Sequence, residues 1–394
     1  MSVLIDRRRF NKGVLATAAA GAAAHVGYAP GALAQRFAYS GRNVIIVRFG
    51  GGVRRRETID PEHTYAPFMR HVLAKRATLF SNMRISSQDG IVTSHAQGTL
   101  YILTGRYDRY EDIEGMFLKE RFEPKAPTIF EYLRKTYDIP SHQTLIVNGE
   151  DRVGEDFLTF SKDHAYGVNY RSSVLSLHWF KTYVLQQKVA SGTVSGPELA
   201  EVQKQLKELE ARNYRGAETA NQVPELQQFW ERWRLHYGDS GFKNPRGDRL
   251  LTELAVRAIH ELKPKLMMIN YQDPDYVHWG NMSHYTRAIA IIDQGLKQLV
   301  QAVEAAPEYR GNTIFVIVPD CGRDNNPLMQ VPFQHHFNSR SAHEIWAMLF
   351  GPGIAQGHVV DKKVNQAGVA ATIAQIMGFT AEQAEGPVLA DALL

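Results

Sequence analysis

Short apolar runs that end at glycine or at acidic residues alternate along this chain with longer segments of helical periodicity. Asn43–Phe49, Thr144–Val147, Leu266–Tyr271, Thr313–Val318 and Ile345–Phe350 are nearly continuous apolar stretches, as strands buried on both faces require. Between and around them, Tyr65–Arg76, Pro127–Lys135, Arg249–Leu262, Tyr285–Ala305 and Val369–Met377 repeat their apolar positions at helical spacing. Strands joined by helical crossovers predict a mostly parallel sheet covered on both sides, a three-layer α/β/α sandwich. From about residue 166 to 241 the pattern turns polar and helical. Pro197–Arg212 and Pro224–Tyr237 there read as long surface helices of an insertion or lid. No linker composition interrupts the rest, so residues 35–394 are expected to form one domain carrying that helical insertion.

Polar groups sit where these strands end. Leu266–Asn281 runs an apolar strand into Asp273, Asp275 and His278, and Thr313–Asp324 delivers Asp320, Cys321 and Arg323 in the same way. His335 and His336 follow in the next loop. Ligands of α/β sheets gather at the carboxyl ends of the strands, and carboxylates with imidazoles brought there by separate strands suit a divalent metal. Any one such pair could be surface residues closing a strand. Three in order favour a site. Arg48, Arg54, Arg55 and Arg56 surround the Gly50-Gly51-Gly52 turn, and Arg106 and Arg323 lie near other strand or helix ends. A planar guanidinium matches phosphate or sulfate bidentately, although a run such as Arg54–Arg56 is equally a solvated loop. Arg323, two residues from a candidate ligand, is the arginine favoured for anion binding. Trp279 is expected in core packing.

The first residues change the setting. Asp6-Arg7-Arg8-Arg9-Phe10-Asn11-Lys12 precedes an alanine-rich apolar run and then Ala32-Leu33-Ala34. This is the pattern of a twin-arginine signal over residues 1–34, cut after Ala34 and handled by the twin-arginine (Tat) translocase, and it predicts a periplasmic or secreted protein. Four basic residues against Asp6 give the segment a net +3, so of the formal +4 about +1 stays with the mature chain. Such a near-neutral protein has no electrostatic case for nucleic acid. Cys321 is the single cysteine, which excludes an intramolecular disulfide. No later apolar run reaches the roughly 18 residues of a membrane span, so no stable anchor is expected.

Several ordered motifs carry a family resemblance. They are NVIIVRFGG, Thr99–Tyr107 (TLYILTGRY), Ala126–Tyr137 (APTIFEYLRKTY), Asp273–Leu296, NTIFVIVPDCGRD, Leu349–Ile354 (LFGPGI) and Val369–Gly378. Together they resemble the alkaline phosphatase superfamily, which includes sulfatases, nucleotide phosphodiesterases and phosphonate hydrolases. The resemblance spans most of Asn43–Leu389. It implies an alkaline-phosphatase-like fold, a two-metal site with a nucleophile beside it, and hydrolysis of small anionic phosphate or sulfate esters.

The family pattern carries over unevenly. It implies one metal held by an Asp and a His a few residues apart, here Asp275 or Asp273 with His278, completed by His335 or His336. A second metal would take an Asp–His pair, which reads Asp320-Cys321 in this chain, and an Asp at the end of the first strand, where Gly50 stands. A cysteine ligates only as thiolate, which favours zinc over calcium or magnesium. The implied divalent metal is therefore zinc, with manganese or calcium as alternatives, well supported at the first site and poorly at the second. Counting back nine residues from Thr104 places the nucleophile at His95, with Ser94 adjacent. Ser94 fits a nucleophilic hydroxyl or an N-cap of the helix that follows. His95 fits a ligand, a general base or a phosphoryl acceptor. These departures leave two function classes open: an exported metal-dependent ester hydrolase, and a relative that kept the fold but only binds a metal or ligand.

Overall fold

A computed structural model of the chain describes residues 38–88, 91–108, 124–149, 158–212, 223–242, 247–335 and 339–394. The expected twin-arginine signal, the middle of the insertion and His336 lie outside them. From Tyr39 to Leu394 the chain makes one compact unit. Its strands are β1 (Asn43–Arg48), β2 (Ala77–Arg84), β3 (Thr144–Val147), β4 (Ser173–Leu175), β5 (Leu266–Asn270), β6 (Thr313–Val318), β7 (Glu344–Phe350), β8 (His358–Val360) and β9 (Val364–Asn365). The longer helices are α1 (His95–Thr104), α2 (Ile129–Tyr137), α3 (Leu177–Ala190), α4 (Gly196–Glu210), α5 (Pro224–Tyr237), α6 (Asp248–Glu261), α7 (Met282–Ala305) and α8 (Gly368–Met377).

The sheet runs in the order β4-β3-β5-β1-β6-β7-β2-β8, with β9 alongside β2. Strand β1 sits at the centre, parallel to β5 and β6. Among the described strands only β7 runs against its neighbours. Successive strand residues point to opposite faces, and that alternation sorts the core into two. Ile45, Val47, Met267, Ile269, Phe315 and Ile317 face α6, α7 and the insertion helices. Val44, Ile46, Met268, Ile314, Val316 and Val318 face α1, α2 and α8. The result is the three-layer sandwich with a mostly parallel sheet. The carboxyl ends of β1, β5 and β6 lie side by side, because Arg48 is in register with both Asn270 and Val318.

Three elements depart from the sequence reading. Tyr65–Arg76 does not form one regular helix but a five-residue π-helical turn followed by a 3-10 turn. The span from 166 is not wholly helical, since β4 at Ser173–Leu175 extends the sheet beside β3. Trp279 is not core but 81% exposed.

Candidate metal and catalytic centre

Each candidate side chain reaches the site through the element that carries it. After β5 the chain turns at Gln272, whose carbonyl accepts from Asp275 N at 2.8 Å, and enters the 3-10 turn Asp273–Val277. This sends the two aspartates in different directions. Asp273 Oδ1 accepts from Asp248 N at 3.2 Å at the start of α6, while Asp275 faces the strand ends. Of the two, Asp275 is the one that lies with His95, His278 and His335. Three residues on, His278 Nδ1 donates to the Asp275 carbonyl at 2.7 Å. His335 Nδ1 donates to the Thr93 carbonyl at 2.8 Å, and Thr93 Oγ1 donates back to the His335 carbonyl. Two histidines with Nδ1 anchored on backbone carbonyls offer Nε2 as the ligating nitrogen, which is how the outer contacts of metal-bound histidines are arranged.

His95 joins the two halves of the centre. It is the first residue of α1, and Ser94 is the N-cap, its hydroxyl accepting from Gln97 N at 3.2 Å. The His95 ring lies between two carboxylates, with Nε2 2.7 Å from Asp275 Oδ1 and Nδ1 2.8 Å from Asp320 Oδ2. Burial opposes charge on this imidazole, yet Asp275 and Asp320 hold it well above the ordinary histidine range. Asp320 is wholly buried, and burial works against its charge as well. His95 and Arg48 nevertheless keep its carboxyl well below the usual carboxylate range. His278 is pushed the other way, down to about 4, first by burial and then by Arg323. Burial and the neighbouring Asp320 push the Cys321 thiol up to about 11, so it carries its proton at neutral pH. Its Sγ lies 3.8 Å from His95 Nδ1.

Ligand atoms of His95, Asp275, His278 and His335 all fall within 4.8 Å of one another. Asp275 with His278 and His335, one carboxylate and two imidazoles, is a donor set that a zinc-type ion with an open position accepts, and manganese remains compatible, with His95 beside it. The first metal implied by the family resemblance therefore fits these residues. A second group, His95, Asp320 and Cys321, is equally close and shares His95 with the first.

The arginines divide. Arg323 is fully buried and its donors enter backbone: Nε to the Gly52 carbonyl at 2.8 Å, Nη1 to Phe333 and Nη2 to Gly51. Its Nη2 also lies 3.8 Å from Asp275 Oδ1, so it braces the glycine turn beside the ligand. Arg54 pairs with Glu57, Arg55 binds the Ile345 and Met83 carbonyls, and Arg106 pairs with Asp108 and Glu385. One contributor, Thr99, carries no signal in the sequence. Arg48 lies inside the apolar run NVIIVRF rather than beyond the glycine turn with Arg54–Arg56, and it is buried. Its Nη1 donates to Thr99 Oγ1 at 2.7 Å, and Nη2 lies 3.8 Å from Asp320 Oδ2.

Comparison with known proteins places the family and the fold. A family model described as the metalloenzyme superfamily matches residues 92–381. The fold superposes on a protein of the alkaline phosphatase superfamily from Vibrio parahaemolyticus with a TM-score of 0.53 and 13% identity, covering 91% of this chain and 72% of that one. It superposes on the alkaline phosphatase PafA with a TM-score of 0.55 and 11% identity, covering 91% and 100%. A 2,3-bisphosphoglycerate-independent phosphoglycerate mutase from Gracilaria tenuistipitata var. liui is 31% identical over 130 residues, 33% of this chain. That match spans only 24% of the curated relative's length. At such identities the structural likenesses establish the fold, and the family model establishes membership. The chain belongs to the metalloenzyme superfamily and has an alkaline-phosphatase-like fold.

Proposed function

We propose that this protein is an exported hydrolase of small phosphate or sulfate esters, using one divalent cation, zinc by donor chemistry, held by Asp275, His278 and His335. The observation that carries the reading is the convergence of His95, Asp275, His278 and His335 within 4.8 Å at the strand ends. A zinc ion bound there would polarise an ester oxygen and lower the pKa of an attached water.

The protein's own groups supply the rest. Asp320 accepts from His95 Nδ1 and fixes the ring, so Nε2 faces the Asp275 side where an ester would sit. That is the arrangement of a histidine base oriented by a buried carboxylate. Engagement of Asp275 by a cation would withdraw one of the two carboxylates that flank the His95 ring. Nε2 would then be free to accept a proton from an attacking water. Ser94 does not take the nucleophile's part in this scheme, because its oxygen is committed to capping α1. Export by the twin-arginine route belongs to the same proposal and rests on the ordered signal in residues 1–34.

A second reading is a relative that binds a metal or ligand without turnover. What favours it is His95 itself, whose ring pairs with the Asp275 and Asp320 carboxylates together. The two readings separate in one experiment. Protein loaded with zinc or manganese is assayed on aryl phosphate, phosphodiester and aryl sulfate, beside His278→Ala. The hydrolase reading expects turnover of at least one ester class, and a loss of about 100-fold or more together with bound metal in the variant. Metal retention with no turnover of any class would establish the binding reading instead.

A further inference from the structure

We propose that Arg48 is an internal cation standing in for a second metal ion, so that the centre takes one divalent ion and Asp320 orients His95 rather than ligating metal. This rests on the one-metal reading above and deepens it. The family resemblance implies an aspartate at the end of the first strand as a second-metal ligand, and Gly50 stands there. The backbone at this position has no room for a side chain. A Cβ on Gly50 would lie 2.0 Å from the Tyr271 carbonyl oxygen and 2.7 Å from Arg48 Nε. The arginine two residues earlier fills the space that an aspartate would need.

Its setting is built around it. The Arg48 side chain is 0% exposed, with Nη1 on Thr99 Oγ1 at 2.7 Å and Nη2 on the Tyr271 carbonyl at 3.3 Å. Thr99 Oγ1 donates in turn to the His95 carbonyl at 2.7 Å, so the guanidinium is tied to the same turn of α1 that presents His95. A buried guanidinium requires a buried anion nearby, and Asp320 lies 3.8 Å away. Asp320 has meanwhile filled its acceptor sites. Gly51 N, Gly52 N, Cys321 N and His95 Nδ1 reach it at 3.3, 3.2, 2.8 and 2.8 Å. A carboxylate has about four lone-pair sites. A metal on Asp320 would have to displace one of these bonds, and it would sit within a few ångströms of the guanidinium, where like charges repel.

Two measurements decide it. Elemental analysis of purified protein saturated with zinc and freed of excess should give one ion per chain, and two ions per chain would overturn the inference. The metal-free protein is then melted as wild type, Arg48→Met, Arg48→Lys and Arg48→Met with Asp320→Asn. Removing the charge should lower the melting temperature by about 5 °C or more. Lysine should recover at least half of that loss, and removing the Asp320 charge from the methionine variant should also restore stability, since the two charges are coupled. If Arg48→Met does not fold, recovery of a folded double variant carries the same meaning. A double variant no more stable than Arg48→Met, or a lysine variant no better than methionine, would overturn the inference. Wild-type protein that binds no zinc would instead refute the hydrolase reading, and the melting series would still decide the role of Arg48.

Discussion

His95 and Ser94 are neighbours in sequence with opposite duties. The serine oxygen ends the backbone of α1, whereas the imidazole is the bridge between two carboxylates. Their substitutions should therefore separate cleanly. Ser94→Ala should cost about 1 kcal/mol of stability, the usual value of a lost N-cap, with kcat nearly unchanged. His95→Gln should fold with normal far-UV circular dichroism and lose about 100-fold or more in kcat, the range of a removed general base. Equal losses of kcat in the two variants would contradict this division. The strand-end acids and histidines were legible in the sequence because an apolar run that stops at Asp or His announces where its polar group emerges. The choice between Asp273 and Asp275 was not legible. A two-residue separation inside a 3-10 turn sends the carboxylates to different places, and only the path of α6 shows that Asp273 belongs to its first turn. Trp279 was misjudged for a related reason: a large apolar ring is buried on average, but the turn after His278 points it outward.

At the scale of elements, the site depends on how closely α1 lies against the end of β6. Gly98 permits this, since a Cβ there would stand 2.1 Å from the Asp320 carbonyl oxygen. Gly98→Ala must push the helix away and carry His95 with it. It should destabilise the protein by roughly 1–3 kcal/mol, the ordinary cost of overpacking, and lower kcat more than tenfold. Thermal melting and steady-state kinetics read the two effects. A variant with wild-type kcat would mean that the helix position does not set the chemistry. The central strands β1, β3, β5 and β6 were readable because they are short, buried on both faces and continuously apolar. Strand β2 was not. Its sequence ATLFSNMR places Ser81 and Asn82 in the middle, where a register shift between Phe80 and Met83 breaks the two-residue alternation. Strand β4, with three residues, is too short to leave a periodic signal.

For the whole molecule, two things belong together: a fold that assembles its site from strands far apart in sequence, and the proposed twin-arginine export. Arg48, His95, Asp275, Asp320 and His335 come from five separate segments, so the centre exists only once the sheet is complete. Export in a folded state would let the metal be acquired before translocation. Replacing Arg7 and Arg8 by Lys should leave uncleaved precursor in the cytoplasm, detected by fractionation and by mass of the N-terminal peptide. Unchanged export would assign the protein to another route.

The central claim is that one bound cation at Asp275, His278 and His335 makes an ester hydrolase of this chain. Stepwise reconstitution tests it most directly: protein stripped by a chelator is titrated with zinc, and initial rates on aryl phosphate and aryl sulfate are recorded against metal equivalents. The account predicts no turnover without metal, a rise that reaches its plateau at one equivalent per chain, and no further gain beyond it. Turnover that is absent at every loading, or that survives complete removal of metal, would contradict it.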